Sequence, residues 1–104
     1  MLMKIKDNYI VEMTLKPIPP DVYQNKGHAE IQYTQEQMEA GILKDLMVTE
    51  DHKRYWLSFA VDSEQEFLDT LRGFPLYDYF DYSYHKVLDM KVQAAAGLTD
   101  PNLK

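Results

Sequence analysis

The segment YWLSFAVDSEQEFLDTLRGFP, residues 55–75, contains the two clearest elements of the chain, a strand followed by a helix. Large apolar side chains occupy every second position of its first seven residues: Tyr55, Leu57, Phe59 and Val61. This period of two predicts a β-strand. Trp56 and two small residues lie between them, so neither face of the strand is strongly polar, as in a sheet covered on both sides.

The helix that follows has boundary signals at both ends. Asp62 or Ser63 can cap its first turn, where two glutamates also favour a helix start. Phe67 and Leu71 are four residues apart and therefore share one apolar face. Gly73, with a proline two residues later, predicts the end of the helix.

A second helix and three more strands are predicted around this segment. Residues 21–42 are typical of a helix, with 27–40 as its better part because Gly27 interrupts the first turns. Gly41 is a C-terminal stop signal. Alternating or β-branched apolar residues predict strands at residues 9–15, 42–50 and 79–87. In the last of these, Phe80, Tyr82 and Tyr84 share one face.

The resulting β-α-β-β-α-β order predicts an α+β, ferredoxin-like fold with an antiparallel sheet. We expect residues 1–90 to form a single domain and residues 91–104 to be a C-terminal arm or tail. The helices cover only one face of such a sheet. A second copy of the same sheet is the simplest cover for the other face, which predicts a homodimer, a dimeric α/β barrel.

Composition narrows the function classes. The chain has no cysteine, which excludes disulfides, thiolate zinc sites and a cysteine nucleophile. A net charge of −6 argues against nucleic acid as a partner, because phosphate binding needs clustered Lys and Arg. No apolar run approaches the roughly 20 residues of a membrane span, and no signal peptide is visible, so we expect a cytoplasmic protein without a membrane partner. The three histidines lack metal-ligand spacing, and we expect no metal or cofactor.

The segment DTLRGFPLYDYFDYSY, residues 69–84, resembles the C-terminal signature of muconolactone delta-isomerases. In that family a helix end leads through proline and aromatic residues into the last strand. MTLK, residues 13–16, together with Glu30 and Gly41, can also be aligned, so the resemblance extends over about residues 9–90. It implies a dimeric α+β barrel, often assembled into larger rings. It also implies cofactor-free isomerisation of an unsaturated lactone that carries a carboxylate, in the catabolism of aromatic compounds.

One stretch departs from this family. LKDLMV, residues 43–48, aligns with a basic and tryptophan-containing sequence. Lys44 keeps one positive charge, whereas Asp45 and Val48 replace a histidine and an arginine. The resemblance therefore implies a substrate-carboxylate site with one cation where the family has several.

Moving a proton between carbon atoms requires a base and an acid, and His28 or Glu30 is predicted for this role. His28 lies near the apolar stripe of the first helix, and histidine is the residue type best suited to proton transfer in the physiological pH range, although a structural histidine fits the same position. Glu30 matches a family position, although an exposed glutamate is the ordinary alternative. Further residues are predicted to bind the substrate: Tyr33, Lys44, Trp56, Tyr77 and Tyr79.

The sequence therefore predicts a cofactor-free isomerase that moves a double bond in a small unsaturated lactone or related carbonyl compound. Two alternatives stay open, and with them the question of whether the protein is an enzyme. One is a cofactor-free or haem-dependent monooxygenase of the same dimeric barrel architecture. The other is a non-catalytic small-molecule binding or assembly protein. Fold alone does not choose among them.

Overall fold

The computed structural model of the protein describes residues 5–91. The elements are β1 (Asp7–Leu15), α1 (Pro20–Glu39), β2 (Leu43–Val48), β3 (Arg54–Val61), α2 (Glu64–Arg72), a short 3₁₀ helix (Tyr77–Tyr79) and β4 (Phe80–Val87). This order confirms the predicted α+β, ferredoxin-like fold. The predicted arm or tail at residues 91–104 lies, apart from Lys91, outside the described residues. None of the helices within 5–91 combines the length and apolar character that a membrane span requires.

The four strands form one antiparallel sheet in the order β2-β3-β1-β4. β1 is paired on both sides, so that Met13 lies opposite Tyr55 of β3 and Tyr82 of β4. β2 forms an edge, and its register with β3 shifts between Leu43 and Asp45. This irregularity, at the position of Lys44, changes which way the following side chains point.

The hydrophobic core lies on one face of the sheet, and α2 packs tightly against it. Phe67 and Leu71 of α2 are completely buried, as is Phe59 of β3. The ring of Phe67 stacks on that of Tyr9 with centroids 4.5 Å apart, and it meets the ring of Phe59 edge-on at 5.4 Å. The burial alternation along β4 also confirms that Phe80, Tyr82 and Tyr84 share the inner face.

The opposite face of the sheet is less buried. Ile10 is 41% exposed and Met47 is 62% exposed, while Trp56 between their strands is partly buried. Both helices lie on the inner face, because Phe67 and Leu71 of α2 belong to the hydrophobic core cluster and Tyr33 of α1 packs against the same cluster.

Helix α1 matches the wider predicted range, residues 21–42, better than the narrower range 27–40. It begins at Pro20 and runs through Gly27, so the predicted break in the first turns is wrong. The end at Gly41 is confirmed, because this residue has φ 76°. The Gly41 N–H donates to Met38 O, and the Ile42 N–H donates to Gln37 O. These two bonds form a Schellman motif, for which a left-handed glycine is favoured.

The first turn of α2 is capped by Ser63. Its hydroxyl oxygen accepts a hydrogen bond from the Glu66 N–H at 3.1 Å. This bond selects Ser63 over the alternative cap, Asp62.

A tyrosine on α1 fastens that helix to the end of α2. The Tyr33 hydroxyl donates to the carbonyl oxygen of Thr70 at 2.6 Å, and its ring meets the ring of Phe74 edge-on at 4.8 Å. Gly73 makes room for this contact. A Cβ at position 73 would collide with the Tyr33 hydroxyl and lie 2.8 Å from its Cζ atom.

We predict that Gly73→Ala destabilises the protein by roughly 1–3 kcal/mol, the usual cost of overpacking. The new methyl group would displace the Tyr33 ring and break its hydrogen bond to Thr70. Gly27→Ala is the matched control, because a Cβ there meets only the Tyr23 ring at 3.7 Å. Because Gly27 lies in a helix interior, where alanine is favoured over glycine, this variant should have a free energy of unfolding about 0.5–1 kcal/mol higher than the unmodified protein. Urea unfolding measures the free energy of unfolding of both variants. Equal changes in the two variants would contradict the proposed collision at position 73.

Candidate functional site

A cavity of about 210 Å³ lies between α1 and the inner face of the sheet. Met13, Leu57 and Phe80 contribute from three strands, and α1 contributes residues from Tyr23 to Thr34. Phe74 and Leu76, from the loop after α2, also line it. No residue of α1 is fully buried, although Val22 and Tyr33 of this helix pack against the hydrophobic core.

Glu30 places a carboxylate in this apolar cavity. Its side chain is partly buried, and its Oε2 atom accepts a hydrogen bond from the Leu76 N–H at 3.0 Å. Burial raises the pKa of Glu30 above its ordinary value, and the bond from Leu76 opposes that rise in part. A carboxyl group of this kind can take up and return a proton closer to neutral pH than an exposed glutamate.

The local sequence explains how Glu30 reaches the cavity. Gly27, Glu30 and Thr34 follow one another at spacings of three and four, so they lie on one face of α1. The Thr34 hydroxyl donates to the Glu30 carbonyl oxygen at 2.8 Å, within the helix. Small or short neighbours on this face leave space around the carboxylate.

The loop after α2 supplies the hydrogen-bond donor. Leu76 sits between two turns, in which the Tyr77 N–H donates to Phe74 O and the Tyr79 N–H donates to Leu76 O, both at 2.9 Å. These turns use neighbouring backbone groups and leave the Leu76 N–H directed at Glu30. A backbone donor of this kind gives no signal in the amino-acid sequence.

Two tyrosines add hydroxyl groups to the lining. Tyr55 lies on the inner face of β3 opposite Met13 and is partly buried. Tyr23 lies near the solvent edge, 61% exposed, with its ring against Gly27. The strand alternation already placed Tyr55 on the inner face, and the spacing from Glu30 could have identified Thr34 on the helix.

Of the predicted site residues, Glu30 alone lines the cavity. His28 is exposed on α1. Lys44 is exposed as well, and its Nζ atom lies 3.6 Å from the carboxylate of Asp89. Trp56 alternates along β3 with the inward-facing residues Leu57 and Phe59, so its side chain lies on the outer face of the sheet.

The three predicted tyrosines lie in packing contacts beside the cavity. Tyr33 makes the contact with α2 described above, and burial raises its pKa. The hydroxyl of Tyr77 lies 2.9 Å from that of Tyr82, and this hydrogen bond raises the pKa of Tyr82 to about 12. The carbonyl oxygen of Tyr79 accepts from the Lys16 N–H at 2.8 Å, which ties the start of β4 to the end of β1.

We find no candidate metal site in the part of the chain that the structure describes. Among residues 5–91, no group of three or more His, Asp or Glu side chains is arranged to hold a metal ion.

The comparisons with known proteins agree with this architecture. Residues 8–93 match the family model of muconolactone delta-isomerase. A crystal structure of muconolactone isomerase is similar to this chain with a TM-score of 0.70 and 25% sequence identity, over 77% of this chain and 86% of that one.

A second solved structure is a C-terminal regulatory domain of aspartate kinase from Porphyromonas gingivalis. It is 16% identical over 80% of this chain and 53% of that one, and its TM-score of 0.41 is too low to support a conclusion. None of the curated proteins matches the chain significantly.

The raised pKa of Glu30 predicts a specific pH dependence of stability. A carboxyl group whose pKa is higher in the folded than in the unfolded state adds stability below its unfolded pKa. That stability is lost as the pH rises through the folded pKa. Compared with Glu30→Gln, the unmodified protein should therefore lose free energy of unfolding as the pH rises above the ordinary glutamate value of 4.5.

Urea unfolding of both proteins across this pH range measures the difference. Glu36→Gln is the control, because Glu36 is an exposed acid of the same helix. A difference between the protein and Glu30→Gln that does not change with pH would show that burial leaves the Glu30 carboxyl group unperturbed.

Proposed function

The chain belongs to the muconolactone delta-isomerase family, and from this premise we propose that it is a cofactor-free isomerase. It would move a double bond in a small unsaturated lactone or a related carbonyl compound. One observation supports this most directly. Glu30 holds a carboxylate of raised pKa inside an apolar cavity, at a position to exchange protons with a bound ligand.

The proposed reaction needs one proton acceptor that later becomes the donor. The Glu30 carboxylate removes a proton from the carbon between the carbonyl group and the double bond, and the electron pair of that C–H bond forms a conjugated dienolate. The Glu30 carboxyl group then returns the proton to the far carbon of this system. The carbonyl group re-forms and the double bond has moved, with no oxidation or reduction.

The negative charge of the dienolate oxygen requires a nearby hydrogen-bond donor. Tyr55 is the candidate donor through its hydroxyl group, because this residue lines the cavity from the sheet while Glu30 lines it from α1. The apolar residues between them lower the local polarity, which strengthens a hydrogen bond to the developing charge.

A non-catalytic binding protein is the second candidate. It is favoured by the position of Lys44, the cation that the resemblance assigns to the substrate carboxylate. This lysine is paired with Asp89 and lies outside the cavity lining. A monooxygenase activity, a cytoplasmic location and a role in aromatic compound catabolism stay predictions.

The isomerase proposal predicts that Glu30→Gln lowers turnover by about 10²–10⁴-fold, because an amide cannot transfer the proton. A panel of unsaturated γ-lactones is incubated with the protein in D₂O, and double-bond migration and deuterium uptake are followed by NMR. Glu36→Gln is the matched control and should keep full turnover.

His28→Ala separates the two predicted bases. With Glu30 as the base, this variant should retain turnover, because His28 is exposed and outside the lining. Full turnover in Glu30→Gln would refute the assignment. Binding of lactones without isomerisation of any of them would favour the second candidate.

We also propose that two copies associate through the outer faces of their sheets. The apolar side chains of Ile10 and Met47 are exposed there, and Trp56 lies between their strands. Apolar residues grouped on an uncovered sheet face are typical of an interface. The larger ring-like oligomer that the resemblance implies would use further surfaces.

Trp56→Glu should convert the dimer to a monomer, because it places a charge at the centre of the proposed interface. Light scattering coupled to size-exclusion chromatography at micromolar concentration measures the mass. Gln35→Glu makes a similar change on the exposed side of α1 and should remain dimeric. A monomeric unmodified protein would exclude the proposal.

A further inference from the structure

Glu30 sets the charge of the cavity. The other lining residues within the described chain are apolar, or carry only a hydroxyl group, as in Thr34 and Tyr55. A ligand in this space therefore meets apolar walls, a few hydroxyl groups and one carboxyl group.

Among residues 5–91, no lysine or arginine lines the cavity. Lys44 is 3.6 Å from Asp89, and the Arg54 guanidinium is 2.9 Å from Glu12 on the outer face of the sheet. Lys16 follows the end of β1, close in sequence to the cavity, but its ammonium group lies 3.6 Å from Asp81. All three cations are at least partly exposed and lie beside acids, outside the cavity lining.

We infer that this site takes an uncharged ligand, a small unsaturated lactone or enone that lacks a carboxylate group. The lactone or enone part of this statement rests on the proposed function, whereas the preference for an uncharged molecule follows from the cavity itself. The resemblance implied a substrate with a carboxylate. The lining of this chain favours a different substrate class within the same family.

The physical reason is the cost of a second negative charge. A carboxylate that enters the cavity gives up its hydration and gains no ion pair in return. It also lies near the Glu30 carboxylate, and like charges repel more strongly where the surroundings are apolar. A neutral ring with a carbonyl group avoids both costs, because the walls bury its carbon atoms and a hydroxyl group can donate to its oxygen.

The size of the cavity agrees with a small ligand. A water molecule occupies about 30 Å³ in the liquid, so the 210 Å³ available corresponds to about seven water molecules. This suits a single five- or six-membered ring with a short substituent.

A matched pair of ligands tests the inference. The carboxymethyl-substituted butenolide and its methyl ester share the ring and nearly the same size, but only the acid is charged at neutral pH. NMR titration of the full chain should give a dissociation constant for the ester at least about tenfold lower than for the acid, a factor readily resolved. Equal affinities, or tighter binding of the acid, would overturn the inference.

Two variants check that the preference originates in the cavity. Ile31→Lys adds a cation at a lining position that is 59% exposed, so the fold should tolerate it. This variant should shift the affinity ratio toward the acid by about tenfold or more. Gln32→Lys is the matched control, because it adds the same charge one residue away at an exposed position outside the lining. An equal shift in both variants would mean that general surface charge, and not the cavity, sets the preference.

Binding and turnover separate this inference from the proposed function. If the ester binds more tightly but its double bond does not move, the inference stands and the isomerase proposal fails. If the protein isomerises these lactones but binds the acid more tightly, the isomerase proposal stands and the inference fails.

Discussion

The structure depends on an unequal burial of its two helices against one face of the sheet. The rings of Tyr9, Phe59 and Phe67 are fully buried beneath α2, and they fix that helix to the centre of the sheet. Helix α1 has no fully buried residue. The free energy of apolar burial is therefore concentrated under α2. The space left under α1 is the cavity.

Two polar contacts keep α1 over this cavity. Tyr33 donates to the carbonyl oxygen at Thr70, and Glu30 accepts from the N–H of Leu76. Both partners belong to the end of α2 or to the loop that follows it. The end of α2 and its loop therefore position α1. The hydrogen bond from Leu76 that holds Glu30 in place also opposes the rise in the pKa of Glu30. One hydrogen bond therefore affects both the position and the proton affinity of the Glu30 carboxyl group.

The family relationship and the local chemistry agree on the architecture, whereas the substrate proposed for this chain differs from the one that the resemblance implies. The chain shares its fold and 25% of its aligned residues with a muconolactone isomerase structure. Its cation at position 44 is paired with Asp89, and its cavity carries one acid among apolar and hydroxyl groups. A fold can be retained while the site changes, because the core under α2 does not depend on which charges surround the cavity.

The sequence by itself determined the element order, the C-terminal ends of both helices and which residues of β4 share one face. These follow from local physics, because period-two alternation and the helix-ending glycines Gly41 and Gly73 each act over a few residues. It also placed Glu30 among two candidate bases. Only the tertiary structure placed Glu30 in the cavity lining, His28 outside it and Trp56 on the outer face of the sheet. The reason is that the donor to Glu30 is a backbone N–H, 46 residues further along the chain. The packing of helices on a sheet, which decides such contacts, has no periodic signal in the sequence.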